Sequence, residues 1–161
     1  MELKFLDLHA NNITSEGFVQ LMVCLKTNNK VKDLNLSRNN IASDIKLFKR
    51  VHTFLNHNKI LENLNLSFCN ITEKAACMIG TGLRGNRNLQ VLNLKGNIVG
   101  SGLKEIAKSF VTNTKALCIK ELDLSKNQIE SEHVTQDCID MITSEFCTLK
   151  TLSFRDNFIK H

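Results

Sequence analysis

The sequence predicts an α/β solenoid, in which short parallel strands line one side of a right-handed coil and helices line the other. Three observations carry that expectation. One segment recurs six times at nearly constant spacing. Its apolar residues alternate with period two, and the stretches between copies carry apolar residues at a period near 3.6.

The copies are LKFLDLHANNI from Leu3, VKDLNLSRNNI from Val31, LENLNLSFCNI from Leu61, LQVLNLKGNIV from Leu89, IKELDLSKNQI from Ile119 and LKTLSFRDNFI from Leu149. All follow L-x-x-L-x-L-x-x-N-x-I. The N position holds Asn11, Asn39, Cys69, Asn97, Asn127 and Asn157, at intervals of 28, 30, 28, 30 and 30 residues. So regular a register makes residues 1–161 one array of five full strand and helix repeats plus a sixth strand unit.

Each element then has a local reason. In every copy the alternating apolar pair, such as Leu34 and Leu36 or Leu122 and Leu124, faces inward from a strand. The asparagine follows where the chain turns away from the sheet, and its amide can satisfy backbone groups that no strand ladder reaches. We therefore assign Asn11, Asn39, Cys69, Asn97, Asn127 and Asn157 a structural ladder. Helices follow, each with an apolar face at i, i+3, i+7: Phe18, Leu21 and Leu25; Phe48, Val51 and Leu55; Ala76, Ile79 and Leu83; Leu103, Ile106 and Phe110; Ile139, Ile142 and Phe146. Parallel strands joined by helices coil with a right hand, and no single unit buries both of its faces.

This pattern resembles the leucine-rich repeats, and its long period with a full helix resembles the ribonuclease-inhibitor-like subclass, from Leu3 to Ile159. The resemblance implies a horseshoe segment with strands concave and helices convex. It also implies a role in binding other proteins: members include the ribonuclease inhibitor, activators of the Ran GTPase, sensing arms of nucleotide-binding receptors, actin regulators and ciliary subunits. The array starts at Leu3 and stops just past Asn157 without a polar capping unit, as expected for part of a longer protein or a subunit embedded in an assembly.

Several function classes find no support. The stretch GTGLRG, Gly80 to Gly85, matches the letters of a dinucleotide-binding loop, but it ends a helix and precedes a strand, the reverse of the order such a loop requires. Gly85 reads as a helix terminator, and Gly80 and Gly82 join Ala75 and Ala76 in a small-residue face that a neighbouring helix or a convex-side partner can approach. The six cysteines show no C-x-x-C pair and read as free, buried thiols. The five histidines are scattered, so no metal is expected. Asp7 and Asp123 lie strands apart, and the eleven-residue copies that hold Ser37, Ser67 and Ser125 contain no histidine, so no enzyme and no cofactor are expected. No apolar run suits a spanning helix and no signal peptide is visible, which sets a cytoplasmic expectation without membrane insertion.

Partner contacts are expected on the concave face. One column runs Phe5, Asp33, Asn63, Val91, Glu121, Thr151; a second runs Asp7, Asn35, Asn65, Asn93, Asp123, Ser153; a third runs His9, Ser37, Ser67, Lys95, Ser125, Arg155. From these and the adjoining turn we select Phe5, Asp7, His9, Asp33, Asn35, Asn65, Phe68, Asn93, Lys95, Glu121, Asp123 and Arg155 as candidate protein-binding residues. The net charge of +5 is uneven. A basic middle with Arg84, Arg87, Lys95, Lys104, Lys108 and Lys115 adjoins an acidic end, and the lack of Trp and Tyr argues against stacked nucleic acid. The expected function is a non-enzymatic interaction module or scaffold inside a larger intracellular assembly, possible settings being the cytoskeleton or cilium. The alternatives are a small-GTPase regulator resembling Ran activators and the ligand-sensing arm of a nucleotide-binding receptor. No small-molecule substrate is expected.

If the inward assignment holds, Leu64→Asp or Leu122→Asp places a charge in the shared core and should cost several kcal/mol. Asn65→Ala should be nearly neutral by comparison. Circular-dichroism melts that reversed this ranking would refute the assignment.

Overall fold

In the computed structural model, residues 2–112, 118–145 and 147–160 are described. Six three-residue strands, β1 (Phe5–Asp7), β2 (Asp33–Asn35), β3 (Asn63–Asn65), β4 (Val91–Asn93), β5 (Glu121–Asp123) and β6 (Thr151–Ser153), form one parallel sheet in sequence order. The register follows the repeat: Leu6, Leu34, Leu64, Leu92, Leu122 and Leu152 pair across successive strands. Helices α1 (Ser15–Thr27), α2 (Ile45–Phe48), α3 (Arg50–His57), α4 (Glu73–Leu83), α5 (Leu103–Val111) and α6 (Gln136–Thr143) alternate with the strands. This is an α/β solenoid of repeated strand and helix units, as the sequence predicts.

The core runs between the two layers. Leu34, Leu36, Leu64, Leu66, Leu92, Leu94, Leu122 and Leu124 are buried from the strand side, and Phe18, Phe48, Val51, Leu55, Ile79, Leu83, Ile106 and Phe110 from the helix side. Leu21 is only half-buried, and Met22 beside it completes that face. The Phe18 and Phe48 rings stack with centroids 5.7 Å apart. The second repeat divides its helix at Lys49, yet Phe48, Val51 and Leu55 keep their common inward face.

The helix face expected from Ile139, Ile142 and Phe146 is corrected by the structure. Ile139 and Ile142 are exposed, Cys138 and Met141 point inward, and Phe146 lies outside the described residues. The cause is a change of phase. A short 3-10 turn at Ser131–His133 precedes α6, which begins only at Gln136, whereas α1 begins at Ser15 close behind Asn11. One residue of shift turns a helix by about 100°, so the set at Ile139 and Ile142, one position past Cys138 and Met141, faces away from the core.

The asparagine ladder holds the turns. Asn39 Oδ1 accepts from the N–H groups of Asn11 (3.0 Å) and Ile13 (2.8 Å) in the preceding repeat, and its Nδ2 donates to the carbonyls of Leu8 and Leu36 (both 2.9 Å). Asn97 repeats the pattern with Cys69 N, Ile71 N, Leu66 O and Leu94 O, and Asn157 with Asn127 N, Ile129 N, Leu124 O and Phe154 O. Each amide therefore joins two repeats. Two steps depart. Cys69 donates its thiol to Leu36 O at 3.1 Å but has no carbonyl oxygen to offer, and burial pushes its pKa up to about 11. Asn127 donates to Leu94 O and Ser125 O, while its buried Oδ1 has no partner. The turn it faces is the one built differently, with Gly96 and Gly100 at positive φ and a 3-10 turn over Gly100–Gly102.

The glycines of GTGLRG serve helix packing. A Cβ on Gly80 would lie 2.5 Å from the backbone of Glu105 in α5, and one on Gly82 would lie 2.9 Å from His52 O in α3. So α4 is closed in on both sides by its neighbours, and the small-residue face meets helices. Gly85 corrects the expectation in its reason: its φ is not positive, and its small size instead clears the Asn56 side chain. All six cysteines are free, but only Cys69 and Cys138 are buried, so the expectation of buried thiols holds for two of them.

Asn97 is 4% exposed, so Asn97→Ala would strand several buried backbone groups and should cost about 3–5 kcal/mol. Cys69→Asn supplies the missing acceptor and should be neutral or stabilising by about 1 kcal/mol. Chemical denaturation of both variants checks the pair; a destabilised Cys69→Asn would show that the ladder site there no longer has the room of its neighbours.

Candidate functional site

The three columns of the sequence are three rows of residues on the sheet's open face. The strand pairing aligns Phe5, Asp33, Asn63, Val91, Glu121 and Thr151 in one row and Asp7, Asn35, Asn65, Asn93, Asp123 and Ser153 in another. The middle row has a structural task that sequence reasoning missed. The side-chain oxygens of Asp7, Asn35, Asn65, Asn93 and Asp123 accept from the backbone N–H two residues on, at His9, Ser37, Ser67, Lys95 and Ser125, over 2.9–3.1 Å. Each ends its strand with an Asx turn. A residue whose acceptor is committed to its own backbone has less to offer a partner. In the third row Ser37, Ser67 and Ser125 are buried, so that row is open mainly at His9, Lys95 and Arg155.

The candidates divide into three places. Phe5, Asp7 and His9 sit at the β1 end; the backbone N–H of His9, then its ring, hold the Asp7 carboxyl below the usual aspartate range. Asp33, Asn35, Asn65 and Asn93 occupy the middle, where Asp33 accepts from the Asn63 amide. Lys95, Glu121, Asp123 and Arg155 come together across β4 to β6 around a shallow cleft of about 330 Å³, which Asn93, Ser153 and Asp156 also line. Phe68 does not lie on this face. It stands on the rim where strands turn toward helices, beneath the Arg38 guanidinium, whose carbon is 5.2 Å from the ring centroid.

The basic middle is partly spent internally. Arg84 and Lys108 both pair with Glu105, at 2.5 and 3.4 Å, and Arg87 donates to the carbonyls of Arg84 and Asn86. Lys104 is exposed, and Lys115 lies outside the described residues. Among the described residues no three His, Cys, Asp or Glu side chains converge as metal ligands, and no helix is long and apolar enough to cross a membrane.

A second set of asparagines also went unread in the sequence. Asn28, Asn58 and Asn86 accept, through Oδ1, the N–H groups two and three residues on, and so fix the turns that lead from helix to strand. Their spacing of 30 and 28 residues was the available signal.

The leucine-rich-repeat family model matches residues 27–45, 57–76 and 115–132, three of the six repeated segments. The chain is a leucine-rich-repeat protein. It is similar to human NACHT, LRR and PYD domains-containing protein 13, with 31% identity over 114 residues, or 70% of this chain. The match spans 11% of that much longer protein. Leucine-rich repeats are in general protein-binding modules, and the open sheet with its side-chain rows fits that use.

The Asx turns revise one expectation: Asn65→Ala should cost about 1 kcal/mol rather than nothing, still below Leu64→Asp. For Asp7 the sign is set by stabilised charge, because groups that donate to the carboxylate make it harder to protonate. A carbon-13 titration should therefore place Asp7 below an ordinary aspartate, and His9→Ala should move it only part of the way back, since the backbone N–H remains. The native contact is present at neutral pH and lost as pH falls through that lowered midpoint. A midpoint at or above the ordinary value would contradict the geometry.

Proposed function

We propose that this chain is a non-enzymatic protein-binding module whose principal face is the concave surface across β4 to β6. One observation carries the choice of face: Lys95, Glu121 and Arg155 line the same cleft, and among the described residues their side chains form no ion pair or hydrogen bond. Charges of both signs, held at strand spacing and left unpaired, are available for a partner, where complementary charge sets orientation and encounter rate. The Asx row beside them is rigid because its acceptors are committed, so little ordering is lost on binding.

The relative favours a specific setting. Its name joins leucine-rich repeats to NACHT and PYD domains, which supports reading this chain as the repeat arm of a larger multidomain protein. A small-GTPase regulator and a cytoskeletal or ciliary scaffold rest on the family resemblance, and no residue on the face selects either.

Affinity purification of the full-length native protein, with mass spectrometry of what accompanies it, tests the face when paired variants are compared. Glu121→Lys combined with Arg155→Glu should lower recovery of the bound proteins about tenfold, as expected when opposed charges become like charges at an interface. Lys74→Glu combined with Lys104→Glu, on the helix side, should leave recovery unchanged. Loss with the helix-side pair alone would move the binding face to the convex surface.

A further inference from the structure

The residue just before each ladder position adopts the left-handed region in every repeat: Ala10, Arg38, Phe68, Gly96, Lys126 and Asp156 have φ between 54 and 70°. For a bulky side chain such a φ is an outlier. Phe68 nevertheless occupies it at φ 55°, and the residue is 39% exposed rather than buried. The neighbours accommodate the ring. Gly96 in the next repeat has no side chain to meet it, since a Cβ there would overlap the ring carbons, and Arg38 in the previous repeat lies over it. Guanidinium, ring and glycine thus form a strip across three repeats, about 10 Å long at strand spacing.

The charges beside this strip are unspent. Among the described residues neither the Arg38 guanidinium nor Lys95 Nζ has a hydrogen-bond or ion-pair partner, whereas Lys126 on the same rim pairs with Asp156 at 3.7 Å. Stacking on Phe68 orients the Arg38 fork without using its donors. An exposed aromatic beside an arginine is the composition of an interface anchor.

We infer that Arg38, Phe68, Gly96 and Lys95 form a docking point for an acidic peptide segment of a partner protein, with carboxylates meeting Arg38 and Lys95 and an apolar side chain covering the Phe68 ring. The inference rests on the reading of the chain as a protein-binding module and gives that binding a chemistry. A uniform polyanion fits poorly: along the same rim the strip ends at Ala10 on one side and, on the other, at Lys126, whose charge is already met by Asp156. A peptide with a few clustered carboxylates fits the positive stretch alone.

The test uses a capped, fluorescent Gly-Ser peptide with a Glu-Glu-Phe-Glu core, its counterpart with Lys in place of Glu, and a single-stranded oligothymidylate, each followed by anisotropy and by backbone amide shifts. The acidic peptide should bind and shift the amides of Arg38, Phe68, Lys95 and Gly96. Arg38→Gln with Lys95→Gln should weaken it about tenfold, the loss of a charge-assisted contact. Phe68→Gly, which suits the left-handed backbone and so should fold, should weaken it as well. Equal binding of the lysine peptide or the oligonucleotide, or affinities unchanged by these substitutions, would overturn the inference. Glu121→Lys with Arg155→Glu keeps the two readings apart. If that pair abolishes recovery of partner proteins while the acidic peptide fails to bind, the rim inference falls and the concave-face reading stands; if the acidic peptide binds at the rim while that pair leaves partner recovery intact, the reverse holds.

Discussion

The fold depends on one constraint: each turn that leaves the sheet carries backbone donors and acceptors that the neighbouring strand cannot reach, and these are buried between layers. A single buried amide solves this for two repeats at once, with Asn39, Asn97 and Asn157 each accepting from the repeat before and donating to carbonyls of both. Leaving such groups unmet costs on the order of 1–3 kcal/mol each. The ladder therefore makes the repeats cooperative, because no repeat completes its own turn. It also explains the left-handed residue before each ladder position, which swings the asparagine under the strand.

Helix packing obeys the same economy of space. The solenoid holds its helices at strand-driven spacing, so wherever two helices bring backbone close to backbone a side chain must be absent. Gly80 and Gly82 meet that need on opposite sides of α4, and Gly102 does so against Ala76 and Glu73. Letters that resemble a nucleotide loop thus arise from the geometry of three adjacent helices. A glycine inside a helix costs about 1 kcal/mol against alanine, a cost offset by the core that close approach seals.

Most of the fold was legible because it is periodic. Strand positions, ladder residues and four of the five helix faces follow from residue type at fixed spacing, and burial of Leu34, Leu64, Leu92 and Leu122 agrees. Legibility failed where the helix starts late within a repeat of ordinary length: Ile139 and Ile142 look like core by their i, i+3 spacing, but α6 begins at Gln136 and turns Cys138 and Met141, one position earlier, toward the core. The site was less legible for a different reason. Sequence alternation shows which residues point out of the sheet, but not which of them have already spent their hydrogen-bonding capacity on the backbone. Asn35, Asn65 and Asn93 looked like interface candidates, yet each closes its own Asx turn. The role of Arg38 was hidden too, because its contact with Phe68 joins residues 30 positions apart.

Spare capacity then separates scaffold from surface. Oxygens of the middle row and the amides of the ladder are committed to turns, and the serines of the third row are buried. On the face and rim, among the described residues, Lys95, Glu121, Arg155 and Arg38 keep open donors or acceptors, and Phe68 adds an exposed ring; they are spread from the second repeat to the sixth. Recognition by a rigid array of this kind gains from such sparseness, since a partner must match the spacing of a handful of charged and aromatic groups fixed by strand register rather than a continuous sticky surface. On the reading proposed for this face, changing one of those groups alters what is bound and leaves the ladder untouched, which would put the chain's specificity and its stability in different residues.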